Sequence, residues 1–373
     1  MRFLIAGGGT GGHIYPALSI ADEIKRLDPS AEFLFVGTGH GLEAELVPRA
    51  GYALKTIQLY GFQRHLSGRN IRNLFLLGKS LWDVKKILWE FRPDVAVGTG
   101  GYVCGPVLLA AAFTGIPTLI QEQNAFPGVT NRILGRIVDV VALGYEEAAL
   151  KIRVRKARVV VTGNPVRVDL LSEDREAACR HFGFQAEIPT VLITGGSQGA
   201  QSINQAALTV HRRFAGNKDV QILHITGQTD YNKIISILTS EGLVGNEAGA
   251  GRMIVPYLHE MPKALAVSDL AVSRAGAIGL AELTILGIPA VLVPYPYASE
   301  NHQEINARFL EKNGAAVVIR DTELTGDLLY NMLRSLIFDE MRLRSMSVAA
   351  IRMSHPGAAS AIASLTVELA GRK

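Results

Sequence analysis

Five glycines and a histidine follow a short apolar run near the N-terminus, in RFLIAGGGTGGHIYPALSIADEI, residues 2–24. Glycine lets a backbone or a ligand approach where a side chain would collide. The imidazole of His13 ionises near neutral pH, which suits it to take up a proton. The apolar run predicts a strand, and the residues after the glycines predict a helix. We therefore expect a strand, a ligand-facing loop and a helix that starts near His13.

The glycine spacing alone does not identify the ligand. Gly7, Gly9 and Gly12 fit the G-x-G-x-x-G pattern of dinucleotide-binding loops. In such proteins an acidic residue at the end of the second strand holds the ribose, but the strand predicted over 32–37 has its only acid, Glu32, at its start. A Walker loop is also disfavoured, because neither glycine-rich loop ends in Gly-Lys-Ser/Thr.

The opening pattern occurs a second time, in TVLITGGSQGAQSINQAAL from Thr190. In both halves, short β-branched runs alternate with helical patterns, which is typical of parallel α/β sheets. We predict two Rossmann-like domains, 1–163 and 164–373, joined near 163–167; the last helix belongs either to the second domain or, by returning, to the first. The predicted strands cover 3–6, 32–37, 94–98, 118–121, 139–143, 159–163, a run from 190, 221–226, 253–257, 270–273, 290–294 and 315–319.

Composition limits the class of protein. A chain of 373 residues that is 48% hydrophobic and 19% charged is long enough for two cores. Its two cysteines, Cys104 and Cys179, match no metal spacing, so the sequence indicates neither a disulfide framework nor a zinc site. This cysteine usage points to a reducing compartment. The sequence predicts no signal peptide or membrane span, hence a soluble or at most surface-bound protein. A net charge of +4 fits anionic ligands or lipid headgroups without choosing between them.

Seven motifs in order carry a resemblance that covers nearly the whole chain. It resembles the MurG family of N-acetylglucosaminyltransferases, although two positions depart from the family pattern: Gln121 stands where a histidine is usual, and Cys104 where a serine is usual. Gln121 weakens any proton-transfer role at that position. The motifs are GGGTGGHIYPALSIA (7–21), GTGGYVCGP (98–106), QEQNAFPGVTNR (121–132), TGNPVR (162–167), GGSQGA (195–200), SRAGAIGLAEL (273–283) and HQEINA (302–307).

The resemblance implies the GT-B architecture, two Rossmann-like domains facing across a cleft. UDP-GlcNAc would bind mainly to the C-terminal domain and the acceptor, lipid I, to the N-terminal one. The reaction would be inverting transfer of GlcNAc to the muramyl 4-hydroxyl, which forms lipid II. The sequence contains no Asp-x-Asp, the carboxylate pair that holds a metal in many glycosyltransferases, so a reaction without metal or cofactor is favoured. The family works at the cytoplasmic face of the cell membrane, has no nucleic-acid partner, and leaves open partners among cell-wall synthesis and division proteins.

On the donor side, small residues before the helix in SRAGAIGLAELTIL provide unpaired N–H groups for a diphosphate. The resemblance adds Arg274 to the diphosphate and Glu282 to the ribose, against the alternatives of an ion pair and an exposed glutamate. Backbone groups near Leu258 would read uracil, and Asn124 and Gln303 would meet the sugar unless they are turn or cap residues. The predicted substrate-binding residues are Thr10, Gly11, Gly12, Tyr102, Asn124, Arg167, Ser197, Leu258, Arg274, Ala277, Ile278, Gly279, Leu280, Ala281, Glu282 and Gln303.

On the acceptor side, the resemblance implies that the first glycine loop clears space for the diphosphate and sugar of the acceptor. The predicted catalytic residues are His13 and Glu122. His13 would act as the base, unless it only caps the helix or packs against the loop. Glu122 is the rival base, or else the residue that orients the true one. Tyr102 would line the acceptor side, unless it only packs.

Residues 72–91, RNLFLLGKSLWDVKKILWEF, are unusually apolar for a surface helix. One stripe at helical spacing predicts a core face, and a second, aromatic stripe flanked by cations predicts a helix that inserts at an anionic membrane surface. The alternative is a helix buried on both sides, with the tryptophans packed on 61–70. The core stripe is Leu77, Leu81, Val84, Leu88 and Phe91; the second stripe is Phe75, Trp82 and Trp89, with Arg72, Lys79 and Lys86 beside it.

Two other functions fit a double Rossmann architecture. A nucleotide-sugar 2-epimerase would produce UDP-ManNAc without an acceptor, and a non-enzymatic sensor would bind UDP-GlcNAc without turnover. The acceptor-side glycine loops and the amphipathic helix argue against both.

Overall fold

The computed structural model describes residues 1–59, 68–196, 198–244 and 251–371; the side chains of 68–77 and of Val168 lie outside the description. The strands are β1 (Arg2–Ala6), β2 (Glu32–Gly37), β3 (Ala53–Thr56), β4 (Val95–Gly98), β5 (Thr118–Glu122), β6 (Val140–Leu143), β7 (Arg158–Val161), β8 (Thr190–Thr194), β9 (Gln221–Ile225), β10 (Arg252–Val255), β11 (Leu270–Ser273), β12 (Ala290–Leu292) and β13 (Ala316–Val318). The helices are α1 (Gly11–Leu27), α2 (Glu43–Arg49), α3 (Gly68–Phe91), α4 (Cys104–Phe113), α5 (Val129–Leu134), α6 (Arg175–Phe182), α7 (Gln201–Arg213), α8 (Gln228–Ser240), α9 (Met261–Ala266), α10 (Ala277–Ile285), α11 (His302–Lys312), α12 (Gly326–Ile337), α13 (Glu340–Arg352) and α14 (Ala358–Ala370).

The first unit comprises residues 1–167 and 355–373. Its seven strands form one sheet in the order β3-β2-β1-β4-β5-β6-β7, and every pair of neighbours is parallel. Helices α1 and α14 cover one face, and α3, α4 and α5 cover the other. The central strands are therefore buried on both faces, which explains their nearly continuous apolar sequences. The C-terminal helix α14 packs on α1 and so completes the core of this unit.

The second unit comprises residues 168–354 and has a six-stranded parallel sheet, ordered β10-β9-β8-β11-β12-β13. Helices α7 and α12 pack together over one face of it, around side chains from β8, β11 and β12. Within the described ranges of both units, no helix is long and apolar enough to span a bilayer.

In both sheets the strand order reverses next to the first strand, between β1 and β4 and between β8 and β11. In open parallel sheets, ligands bind beyond the carboxyl ends of the strands at such a switch point. The loops at these two points are 7–10 and 99–103 in the first unit and 195–200 and 274–276 in the second.

The predicted fold, two parallel-sheet Rossmann-like domains, is confirmed. The strands predicted over 32–37 and 270–273 have the observed bounds, and the others differ by one or two residues at an end. The prediction missed β3, an edge strand whose four residues are mostly exposed and lack an alternating apolar pattern.

Candidate active site

His13 lies in the first turn of α1, with its ring against the loop that follows β4. The ring Nδ1 is 3.1 Å from the carbonyl oxygen of Gly8, a group that only accepts hydrogen bonds. A Cβ at Gly100 would lie 2.7 Å from the imidazole carbon Cδ2, so only glycine leaves room for the ring there. Because Nδ1 donates its proton to Gly8, the neutral ring carries its lone pair on Nε2, the arrangement that a base requires. His13 thus packs against a loop, as the alternative proposed, and is also oriented for proton uptake.

Three glycines of the first loop make room for side chains of the protein itself, and the expectation that the loop also makes room for the acceptor stays a prediction. A Cβ at Gly7 would collide with the hydroxyl of Thr99, and one at Gly8 would lie 2.7 Å from Glu43 Oε1. A Cβ at Gly11 would lie 3.2 Å from the Tyr15 ring. Gly9, by contrast, needs its conformation, because its φ of +89° favours glycine.

Glu43, which the sequence analysis did not single out, is completely buried at the start of α2. Its Oε2 accepts a hydrogen bond from the Gly9 N–H (2.9 Å), and its Oε1 accepts two from Thr38, from the N–H (2.8 Å) and the hydroxyl (2.6 Å). Burial acts to raise the pKa of Glu43, but these hydrogen bonds outweigh it and hold the pKa below its usual value. The loop of the first switch point therefore rests on a buried carboxylate.

Glu122, at the end of β5, is also buried and accepts four hydrogen bonds. Its Oε1 accepts from the backbone N–H (2.9 Å) and the amide Nδ2 (3.1 Å) of Asn124. Its Oε2 accepts from the Gly128 N–H (3.0 Å) and from Asn131 Nδ2 (2.9 Å). The role of Glu122 as a base stays a prediction. The second predicted role of Glu122, to orient the true base, also stays a prediction, because the groups bonded to its carboxylate here are Asn124, Gly128 and Asn131.

Gln121 belongs to a buried network of neutral amides. Its Nε2 donates to Asn164 Oδ1 (3.0 Å), and Asn164 Nδ2 donates to the carbonyl oxygen of Gln123 (2.9 Å). Gln123 in turn donates to Gln121 and to the carbonyl oxygen of Thr99, in the loop after β4. The position where the family usually has a histidine thus links β5 to two loops without any titratable group.

Three further predicted residues lie near His13 and the first glycine loop. Tyr102 is half-buried, and its ring lies 3.6 Å from where a Cβ on Gly9 would stand. The guanidinium of Arg167 lies over the Tyr15 ring, 5.3 Å from its centroid. Thr10 is exposed and precedes α1, where its hydroxyl lies 3.4 Å from His13 Nδ1. The first unit therefore brings Thr10, Tyr102 and Arg167 to the edge of the sheet where His13 lies.

In the second unit, α10 begins directly after the loop at the switch point. Gly276 precedes the helix in an extended conformation, and no side chain caps the first turn. Apart from adjacent residues and the backbone of the helix itself, no atom of the described residues lies within 4 Å of a Cβ built on Gly276 or on Gly279. The first-turn N–H groups, from Ala277 to Gly279, have no partners within the helix, so they can donate to an anion.

Arg274 is held by protein groups. Its guanidinium bonds to the carboxylate of Asp321, to the carbonyl oxygen of Val293 (3.1 Å) and to Ser202 Oγ (3.0 Å). Ser202 also donates to Asp321 (2.6 Å). The side chains of Arg274 and Asp321 are only 13% and 20% exposed. Arg274 therefore forms an ion pair, as the alternative to diphosphate binding proposed, but a largely buried one. Its contact with a diphosphate stays a prediction.

Gln303 is oriented by backbone groups. Its Oε1 accepts hydrogen bonds from the N–H groups of Ala275 (3.2 Å) and Tyr295 (2.9 Å). The amide group that remains for a ligand is therefore a donor. Two successive residues with positive φ, Glu300 and Asn301, precede α11 and set its start close to this amide.

The other residues predicted to bind the donor lie on α10 and after β10. Glu282 and Ala281 are half-buried on α10, Ile278 and Leu280 are buried beneath them, and Leu258 follows β10. Ser197 lies outside the described residues. Among the described residues, no group of three or more His, Cys, Asp or Glu side chains could hold a metal ion.

Sequence reasoning missed Glu43, Asn131, Ser202 and Asp321. The one available signal for Glu43 was its place in GTGHGLE, behind glycines that make room for it.

Two parallel-sheet units with glycine loops at their switch points, followed by helices without side-chain caps, are the features of a GT-B glycosyltransferase. The chain belongs to glycosyltransferase family 28. The N-terminal domain of that family matches residues 3–143 and its C-terminal domain matches residues 190–362.

A relative from Moorella thermoacetica is 46% identical over 363 residues, 97% of each chain. It is named UDP-N-acetylglucosamine–N-acetylmuramyl-(pentapeptide) pyrophosphoryl-undecaprenol N-acetylglucosamine transferase. The crystal structure of Acinetobacter baumannii MurG is similar with a TM-score of 0.74 at 28% identity, over 98% of this chain and 99% of that one. A UDP-GlcNAc 2-epimerase from Neisseria meningitidis has the same fold, with a TM-score of 0.69 at 15% identity over 100% of both chains.

Proposed function

We propose that the protein transfers N-acetylglucosamine from UDP-GlcNAc to the 4-hydroxyl of the muramyl sugar of undecaprenyl-pyrophosphoryl-MurNAc-pentapeptide, lipid I, with inversion at the anomeric carbon and formation of lipid II. The observation that carries the proposal is identity at 46% of positions, over nearly the whole of both chains, with a transferase named for this reaction. The 2-epimerase shares the fold but only 15% of residues, so it supports no activity here.

The first unit binds the acceptor and takes its proton. As the muramyl oxygen attacks the anomeric carbon, its proton must leave, and a base positioned for it typically contributes about 10²- to 10⁴-fold in rate. Nδ1 of His13 donates to Gly8, so Nε2 is the acceptor nitrogen. Thr10, Gly11, Gly12, Tyr102 and Asn124 supply the surrounding contacts to the acceptor and the transferred sugar.

The second unit binds the donor and stabilises the leaving UDP. Charge develops on the diphosphate as the glycosidic bond breaks, and the N-terminus of α10 offers N–H groups and about half a positive charge for it. Glu282, in the second turn of the helix, accepts from the ribose hydroxyls. The amide of Gln303, held at its oxygen by two backbone N–H groups, donates to the sugar.

The direct test is incubation with labelled UDP-GlcNAc and a lipid I analogue, followed by chromatography for the β-linked disaccharide. Formation of UDP-ManNAc without acceptor would instead support an epimerase. Tight binding of UDP-GlcNAc with neither product would support a sensor.

Replacement of His13 by alanine tests the base. We expect kcat to fall by about a hundredfold or more while the affinity for UDP stays unchanged, because the imidazole serves the acceptor. Stopped assays with saturating substrates, beside calorimetric titration with UDP, measure the two effects. Near-normal kcat in a folded His13→Ala protein would exclude the role.

The proposal includes a membrane-facing surface on the first unit, which we call the apolar–basic face. It lies on α3, α4 and α5, which pack on one side of the sheet, and on residues 150–153, whose neighbours Ala148 and Ile152 belong to the same core cluster. Large apolar side chains project from it, with exposed fractions of 71% for Trp82, 73% for Trp89 and 80% for Phe113. The face consists of Trp82, Lys85, Lys86, Trp89, Phe113, Ile133, Arg136, Leu150, Lys151 and Arg153, all exposed.

Exposed aromatic side chains beside cations fit an anionic bilayer, where the rings enter the interface and the cations meet headgroups. On α3 the predicted core stripe is buried at Val84 and Leu88, opposite the exposed tryptophans, so this part of the helix is not buried on both sides. The predicted contribution of Phe75 and Arg72 falls on side chains outside the described residues. A lipid-linked acceptor gives such a face its purpose, and with it a place at the cytoplasmic side of the cell membrane.

A further inference from the structure

One peptide group joins Glu43 to His13. The N–H of Gly9 donates to Glu43 Oε2 at 2.9 Å, and the carbonyl of Gly8, on the other side of the same peptide bond, accepts from His13 Nδ1 at 3.1 Å. The order of groups is therefore carboxylate, peptide N–H, peptide C=O and imidazole N–H. Hydrogen bonds in such a chain polarise one another, more strongly where water is excluded.

The fold encloses the Glu43 carboxylate at close quarters. Cβ atoms at Gly8, Gly37 and Gly41 would each lie within 2.7 Å of an atom of its side chain. With hydrogen bonds from Thr38 and from Gly9, it has partners suited to the ionised form and no exposed surface. A buried negative charge is screened less than an exposed one, so its field reaches the neighbouring peptide.

We propose that Glu43 is a positioning residue for His13, which acts through the Gly8–Gly9 peptide. It fixes the direction of that peptide, and the Gly8 carbonyl then fixes the His13 tautomer with the proton on Nδ1. Its charge also stabilises the imidazolium that forms when Nε2 takes a proton. Only the catalytic consequence rests on the proposed function; the coupling of Glu43 to His13 is a property of the unliganded protein.

Other charged or titratable groups on the neighbouring elements are Tyr15 on α1 with Arg167 over its ring, Tyr102 after β4, and Glu122 at the end of β5. The Glu122 carboxylate is bonded to Gly128 and to asparagine side chains. Glu43 is the carboxylate that shares a peptide with His13, so its replacement tests the coupling without altering the other groups.

The first experiment measures His13 directly by NMR on ¹⁵N-histidine-labelled protein without substrate. In Glu43→Gln, which keeps the shape and removes the charge, we expect the pKa of His13 to fall by about half a pH unit or more, because a nearby negative charge favours the imidazolium. The ¹⁵N shifts should also show loss of the single Nδ1–H tautomer. The control is Glu23→Gln, which removes a different buried carboxylate, on α1, that is bonded to Arg26. A His13 pKa and tautomer population equal to wild type in folded Glu43→Gln would overturn the proposal.

A second measurement needs no variant, so it stands even if Glu43→Gln does not fold. Because Gly9 N–H and Gly8 C=O belong to one peptide, the Gly9 amide proton should titrate with the midpoint of His13 in the wild-type protein. A Gly9 amide shift that stays constant through that titration would contradict the coupling.

The pH profile of kcat/KM separates this inference from the proposed function. If both hold, the acid limb moves to lower pH in Glu43→Gln by the amount that NMR shows for His13. If the NMR pKa moves and the acid limb does not, the coupling stands and His13 is not the base. If the acid limb moves while the NMR pKa does not, Glu43 acts on some other group and the coupling is refuted.

Discussion

Replacement of Glu122 tests whether this buried carboxylate at the end of β5 takes up a proton in the reaction or stabilises the fold. The change is Glu122→Gln, which keeps the size of the side chain, removes its charge and turns one accepting oxygen into a donor. Each oxygen now accepts two N–H bonds, from Asn124 on one side and from Gly128 and Asn131 on the other. In the variant, two of these four donors face an NH₂ group.

The magnitude follows from these contacts. A hydrogen bond to a charged group contributes about 1.5–3 kcal/mol, so losing two removes at least about 3 kcal/mol of unfolding free energy. Glu122 is 1% exposed, so water does not replace the lost partners. For a unit of this size, 1 kcal/mol corresponds to roughly 2–4 °C in melting temperature, which gives a decrease of about 6–12 °C in the first unit.

Differential scanning calorimetry resolves the two units if they melt separately, and the exposed Glu146→Gln is the matched control, expected within about 2 °C of wild type. A base, by contrast, would lose kcat in Glu122→Gln while the melting temperature stayed near that of wild type. That combination of results would refute the reasoning, and with it the positioning role of Glu122.

Three more predictions concern other parts of the chain. Glu282→Ala should raise KM for UDP-GlcNAc more than it changes kcat and weaken UDP binding by about 1.5–3 kcal/mol in calorimetry; unchanged UDP affinity would exclude the ribose contact. The rings of His211 and His224 are hydrogen-bonded to each other at 3.2 Å. Burial lowers the pKa of both histidines in the folded state, that of His224 to about 3. As pH falls below about 6.5, the unfolded state therefore binds protons that the folded state does not. Unfolding free energy should therefore fall by about 1.4 kcal/mol per pH unit for each histidine as pH decreases from 6.5, and less steeply in His224→Gln; equal slopes in urea titrations would contradict this. Trp82→Ser with Trp89→Ser should weaken sedimentation with anionic vesicles and activity on membrane-embedded acceptor, but not activity on a short-chain soluble analogue; unaltered vesicle binding would rule out the tryptophans as the anchor.

Strand positions could be predicted because the chemistry that makes a buried parallel strand is local. Residues 32–37 combine apolar side chains with a glycine at the end, and the structure gives β2 the same bounds. The strand β3 was missed because an edge strand needs no apolar pattern: its register with β2 is set by backbone bonds, and most of its side chains face solvent. Pairing partners distant in the chain, rather than local composition, define that strand.

The sequence allowed us to predict which loops form the candidate site, but not which side chains contact each other there. Glycines after strands marked both switch points, because tight loops and close approaches there favour a residue without a side chain. The contacts in these loops depend on residues far along the chain. The Glu43 side chain, 35 positions later, occupies the space beside Gly8, and Arg274 is bonded to Asp321. A glutamate at the start of a helix is common because it complements the helix dipole, so the glycines of GTGHGLE were the one local signal that distinguished Glu43.

The geometry also favours a division of roles between carboxylates and imidazole in the first unit. Proton uptake by Glu122 would place an O–H where N–H donors already point, so at least one of four hydrogen bonds would be lost with each protonation. Proton uptake by His13 at Nε2 leaves its Nδ1–H bond to Gly8 in place. The imidazole therefore changes charge without moving the loop, whereas the carboxylate would disturb the segment that holds Asn124. Since a catalytic group must return to its starting state after every turnover, the arrangement favours His13 as the base and Glu122 as the residue that holds Asn124.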